Sequence, residues 1–300
     1  MRPLPAPRSQ AAPDIDVTEQ ELLQPTFLTV LKLILHTLLP FVAERPGQII
    51  GSSFLLLMLW GTHGNLELLR YVLPGWRGPG LDVGRRPSLI PGTAWDNELI
   101  SFVAGFVLLV VIPIGLIVFV FKEPLRAYGL GLPPPGKRKL AVQAFLLLTL
   151  PTLVGFYFAA HNPAMTEVYP FFRDFSSLRQ FLAYELVYLL FFIAIEFAFR
   201  GYLLFGLAGA RDADVGGRGG GLPGVFYFGR YALMIQMLSY TAWHLGKPLP
   251  ELWGTVVWGL AAGAVVYAIR SIWPVVLSHW LLNVLLDAVS LLSASPPPAS

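Results

Sequence analysis

The stretch FLAYELVYLLFFIAIEFAFRGYLLFG, residues 181–206, decides the fold. It is almost wholly apolar and long enough to cross a bilayer as a helix, yet it carries Glu185, Glu196 and Arg200. An ionisable side chain at membrane depth costs free energy. Such groups therefore face a bundle interior or a water-filled cavity and mark a functional site. Glu196 and Arg200 stand four residues apart, on one helix face and within reach of each other. The plainer alternative is a structural ion pair that fixes helix packing.

The rest of the chain has the composition this helix implies. Of 300 residues, 55% are hydrophobic and 13% charged, and the mean hydropathy is +0.62. That describes an all-α, multi-pass membrane bundle rather than a soluble domain. The net charge is +3, with no basic run interleaved with aromatics, so no nucleic-acid partner is expected. The partners implied are membrane lipids. There are no cysteines, which removes disulfides, thiolate ligands and a cysteine nucleophile.

Upstream of the central helix, residues 1–22 are polar and proline-rich and lack the apolar core of a signal peptide; they read as a disordered cytoplasmic or surface arm. Residues 22–43 form a first membrane helix or an amphipathic one lying at the surface. Residues 49–60 span a bilayer only if the helix runs on through Gly61 to Leu73. A Gly/Pro-rich loop follows at 74–98, then clear spans at 99–121 and 140–160. The connection 122–139 carries five basic residues against one acid and is cytoplasmic by the positive-inside rule. Downstream, 208–224 is a glycine-rich linker without the Gly-Lys-Ser/Thr ending of a phosphate cradle. Spans are expected at 225–245, 252–269 and 273–292, and 293–300 is a disordered tail. The sum is seven or eight spans, with 23–180 as N-terminal membrane helices and 181–292 as a helical core. No internal repeat of the transporter kind is visible, which disfavours a small-solute transporter.

Two of the five histidines, His244 and His279, lie in the apolar C-terminal spans. His279 and Asn283 share one helix face, as do Tyr240 and His244. Interhelical hydrogen bonding is the bland reading of such residues. Three helices carrying Glu/Arg, His and His/Asn point further, to hydrolysis. A carboxylate in an apolar pocket can serve as base, histidine can share its proton, and His with Asn offers two donors to one oxyanion. A metal site built from His244, His279 and Glu196 is the competing chemistry, with zinc not excluded. The absence of a His-Glu-x-x-His pair favours metal-free water activation.

These motifs resemble those of the CPBP family of CAAX proteases and bacteriocin-processing enzymes: Glu-Glu-x-x-x-Arg, Phe-x-x-x-His and His-x-x-x-Asn/Asp, each on its own membrane helix. Here they read Ile195-Glu196-x-x-x-Arg200, Tyr240-x-x-x-His244 and His279-x-x-x-Asn283, over roughly residues 181–285. The resemblance implies an intramembrane endopeptidase of the cell membrane acting on membrane-tethered proteins or precursor peptides, with no cofactor. It implies His244 as the water-activating histidine and His279 with Asn283 as the oxyanion site, with Glu196 and Arg200 in support; the reading taken from the residues places Glu196 with His244, His279 and Asn283 as catalytic, and Arg200, Glu185 and Tyr240 in support. One departure stands out: the family's first motif glutamate, which with the first histidine activates water, falls on Ile195. Either Glu196 turns into that role, or Glu185 contributes from the same face some 16 Å along the axis by the rise of about 1.5 Å per residue, or the chain is an inactive relative that binds peptides or confers bacteriocin immunity.

Overall fold

The computed structural model describes residues 23, 25–61, 96–209 and 228–293. The N-terminal arm, most of the 74–98 loop, most of the glycine-rich linker and the C-terminal tail lie outside them. Among the described residues the chain is helical with no strand. In chain order, α1 is Phe27–Ala43, α2 Arg45–Trp60, α3 Asp96–Phe106 continued through π-helical turns to Phe121, and α4 Arg138–Ala159. A short α5 (Pro163–Val168) precedes α6, which runs Leu178–Glu196 and on through a π-helical segment, Phe197–Leu203, to Ala208. The last three are α7 (Ala232–Trp243), α8 (Leu249–Ile269) and α9 (Trp273–Ser293).

Five helices are long and apolar enough to cross a membrane: Ser101–Phe121, Pro135–Ala159, Leu178–Ala208, Leu249–Ile269 and Trp273–Ser293. The seven or eight spans expected from hydropathy are thus five among the described residues, plus the shorter α1, α2 and α7. For the second expected span, residues 62–73 lie outside the described residues, and α2 is described to its end. It ends at Trp60, because Gly61 adopts φ +70 and returns its N–H to the Leu57 carbonyl at 2.8 Å, a conformation open to glycine at little cost. Of the span expected over 225–245, the described part is α-helical for the 12 residues of α7, which a 3-10 turn at Gly229–Tyr231 precedes.

The central helix is the most buried of the five. Its start is fixed by Ser177, whose hydroxyl accepts from the Gln180 N–H at 3.3 Å, while the Gln180 side chain accepts from the Ser176 N–H at 2.7 Å. This reciprocal capping satisfies donors that a helix start leaves unpaired. Along α6, Tyr188 and Phe191 pack with Phe102 of α3, and Phe192 packs on both of them; Phe102 and Tyr188 stack at 4.6 Å. Beyond Glu196 the π-helical turns let Gly201 approach so closely that a Cβ there would lie 2.9 Å from the Tyr128 carbonyl oxygen. α7 and α8 meet where Gly259 and Gly263 leave room: a Cβ on either would lie 2.9 Å from Met237 or 2.6 Å from Gln236. Gln236 uses that proximity to donate to the Gly259 carbonyl at 2.6 Å, so small residues and a buried amide join the two helices. After α8, Arg270 in the left-handed region (φ 67) turns the chain into α9. The Ile272 N–H then binds the Gly129 carbonyl at 3.0 Å.

Candidate active site

The first polar cluster sits on α6 just where α-helical geometry gives way to π-helical turns. Glu196 and Arg200 are both fully buried, at 0% side-chain exposure, with Nε 3.5 Å from Oε2. The Arg200 guanidinium also lies over the Tyr240 ring of α7, 3.9 Å from its centroid. Its nitrogens have no hydrogen-bond partner among the described residues, so the Glu196 charge and the tyrosine face are what compensate its burial. Glu196 Oε1 accepts from His279 Nδ1 at 2.7 Å and from Trp258 Nε1 at 3.3 Å. The carboxylate thus ties α6 to both α8 and α9.

His279 is held from behind by that carboxylate and flanked by Phe192 and Trp258, with ring centroids 4.8 and 5.1 Å away. Because Nδ1 is engaged by Glu196, Nε2 is the ring atom left for a ligand. Asn283, one turn on, donates one amide hydrogen to the His279 carbonyl at 3.0 Å and keeps a second.

His244 stands just past the end of α7. Its Nδ1 is 2.7 Å from the Tyr240 carbonyl, which can only accept, so Nδ1 carries the proton and Nε2 the lone pair. Burial pushes this imidazole down to about 3, so it is neutral at ordinary pH. The turn beyond it, with Gly246 at φ +90, brings Lys247 and then Glu251 of α8 back beside it. Burial likewise lowers the Lys247 ammonium to about 8.

These elements enclose a cavity of about 670 Å³ whose walls include Ile195, Tyr240, His244, Lys247, Glu251, Trp258, His279 and Asn283. Its apolar side reaches out to exposed Leu147 on α4 and Val257 on α8. The structure therefore brings His244, His279 and Asn283 to one hollow, with Tyr240 on its wall. Glu196 and Arg200 are not among its lining residues; Glu196 reaches it through His279. Ile195 occupies the wall on α6. Glu185 does not line it either: its carboxyl lies beside that of Asp287 on α9. Lys247, Glu251 and Trp258 line the hollow although sequence reasoning did not select them. For Lys247 and Glu251 the signal was indirect: because His244 falls at the end of its expected span, the three motifs can meet only if 245–251 dips into the protein. Among the described residues no three His, Cys, Asp or Glu side chains form a group able to hold a metal ion.

Long apolar helices around a hollow set with histidines, an asparagine and a carboxylate describe an integral membrane protein with a polar site among its helices. Residues 177–285 match the Rce1-like family, described as type II CAAX prenyl endopeptidase Rce1-like. The match covers the helices that bear the three motifs, in agreement with the resemblance to CAAX proteases that those motifs carry. Neither a curated protein nor a solved structure matches the chain.

Proposed function

We propose that the protein is an endopeptidase of the cell membrane that hydrolyses a peptide bond in a membrane-tethered protein or precursor peptide, without a metal. The observation that carries this reading is the meeting of His244, His279 and Asn283 at one cavity, with Glu196 braced by Arg200 directly behind His279. His244 Nε2 offers a lone pair to an attacking water. Glu196 fixes the His279 ring; protonated, that ring presents a charged Nε2–H to the oxyanion, and the free amide hydrogen of Asn283 is a second donor. Preorganised donors of this kind, each worth about 10²–10³ in rate, are usually the largest single contribution to acyl-transfer catalysis. The apolar wall between α4 and α8 suits a substrate delivered from the bilayer.

The test uses purified protein in nanodiscs with lipid-anchored peptides, prenylated and acylated, and mass spectrometry of the products. Cleavage by the wild type, lost in His279→Ala and Glu196→Ala and retained in strong chelators, supports the reading. Cleavage indifferent to both substitutions removes the site assignment, and loss in chelator returns the metal. A second reading, an inactive peptide-binding or immunity protein, is favoured by Ile195, an apolar side chain on the cavity wall where the resemblance expects a base. Tight binding of the same peptides with no cleavage would establish it.

A further inference from the structure

We infer that Glu251, from the first turn of α8, is the carboxylate that activates water together with His244; the inference rests on the hydrolytic reading above. Glu251 lines the cavity and neither Ile195 nor Glu196 can do its work there. Ile195 has no acceptor, and Glu196 is absent from the wall, its Oε1 occupied by His279 and Trp258.

The surroundings of Glu251 divide its two oxygens. Oε1 accepts from the Tyr169 hydroxyl at 2.8 Å, and that hydroxyl in turn accepts from Lys247 Nζ at 2.5 Å. Lys247 Nζ is itself 3.6 Å from Oε1. Oε2 is buried and has no hydrogen-bond partner among the described residues. A carboxylate serving only as counter-ion to Lys247 has no use for a second oxygen buried without a donor. His244 Nε2 lies 3.8 Å from Oε1, too far for a direct hydrogen bond and close enough for one water to touch both groups. His244 already donates through Nδ1 to the Tyr240 carbonyl, so its cavity-facing nitrogen is an acceptor. Two acceptors facing one site orient both hydrogens of a water and turn its oxygen lone pair outward. Because burial keeps His244 a weak base, the proton needs the carboxylate.

The step balances without any further reagent. The water oxygen bonds to the substrate carbonyl carbon and its proton passes to Glu251. The carbonyl π pair moves to oxygen, facing His279 and Asn283. On collapse the C–N bond breaks, the amine nitrogen takes the proton from Glu251, and the products are a carboxylic acid and an amine, which exchange that acid's proton and leave as carboxylate and ammonium. Tyr169 and Lys247 hold Glu251 in place; they are positioning residues.

The experiment measures single-turnover and steady-state cleavage of a lipid-anchored peptide by wild type, His279→Ala, Glu251→Gln and Glu251→Ala in nanodiscs. The expected result is a fall in kcat of about 10²–10⁴ for Glu251→Gln, the range for losing a general base, with KM little changed. Formate should restore a measurable part of kcat to Glu251→Ala by entering the space left by the carboxylate, a rescue that a structural role does not give. Should Glu251→Gln fail to fold, the formate response of Glu251→Ala, and the retained activity of Glu251→Asp, decide. Wild-type cleavage that His279→Ala abolishes and Glu251→Gln leaves intact overturns the role of Glu251 alone. So does a Glu251→Ala defect that formate does not relieve. No cleavage by the wild type overturns the hydrolytic reading together with it.

Discussion

Replacing Glu196 with glutamine removes one charge and little else. The amide side chain of Glu196→Gln keeps an oxygen for the His279 and Trp258 donors, at 2.7 and 3.3 Å in the parent. What it loses is the anion 3.5 Å from Arg200, whose side chain is 0% exposed and has no hydrogen-bond partner among the described residues. The guanidinium is then compensated only by the Tyr240 face at 3.9 Å, worth about 2 kcal/mol when desolvated. Leaving one member of a buried pair uncompensated costs about 3–5 kcal/mol. The converse change, Arg200→Met, is milder, because Glu196 retains two donors. With both substitutions together no charge is stranded, so the double variant should be more stable than the sum of the two losses predicts, by about 0.5–3 kcal/mol. The measurement is equilibrium unfolding by SDS titration in mixed micelles, for wild type, both singles and the double. Equal costs for the two singles, or strict additivity, would refute the view that the Glu196 charge exists to balance Arg200.

Three further outcomes follow from the same geometry. Asn283→Ala should lower kcat about 10²–10³-fold, as for removal of one oxyanion donor, with KM nearly unchanged in the lipid-anchored peptide assay. Gly201→Ala should destabilise by about 1–3 kcal/mol, seen as a lower SDS midpoint, because the new Cβ meets the Tyr128 backbone oxygen at 2.9 Å. For Lys247, burial brings the ammonium from the ordinary 10.5 down to about 8. Between those two pH values the unfolded chain therefore binds the extra proton and the folded chain does not. Stability should rise as pH climbs from 8 towards 10.5 and the gain should vanish below 8. The size is about 3.5 kcal/mol, about 2.5 pH units at about 1.4 kcal/mol each. Lys247→Met should lack this increment when midpoints at pH 7.5 and 10 are compared.

The polar pairs were legible because helices repeat. Glu196 with Arg200, Tyr240 with His244, and His279 with Asn283 each sit four residues apart in apolar runs, and that spacing survives folding. Glu251 was not singled out: convergence of the motifs requires 245–251 to dip inward, but which side chain of GKPLPE then faces the cavity depends on the bend at Gly246, after the early end of α7. Hydropathy averages likewise overran Gly61, since a window that sums apolarity does not register a single positive φ. The fate of Glu185 was hidden for a different reason. Its azimuth matches that of Glu196 on a regular helix, yet its neighbour is Asp287, a residue on α9 that carries no motif. The π-helical turns at Phe197–Leu203 have no signature in spacing, although they set the side from which Arg200 reaches Tyr240.

The ring stack of Trp60 on Trp243, 5.4 Å apart and nearly parallel at 10°, is joined by a hydrogen bond from Trp243 Nε1 to the Gly61 carbonyl at 3.3 Å. It clamps the residue before His244 to a helix that lies more than a hundred positions earlier. Tyr169, which steadies Glu251, also precedes the segment 177–285 that matches the family. Excising that segment as a minimal catalytic unit would strip away both outer struts, leaving the histidine and the glutamate to drift. The residues that brace the hollow thus lie partly outside the matched segment, on α2 and just beyond α5.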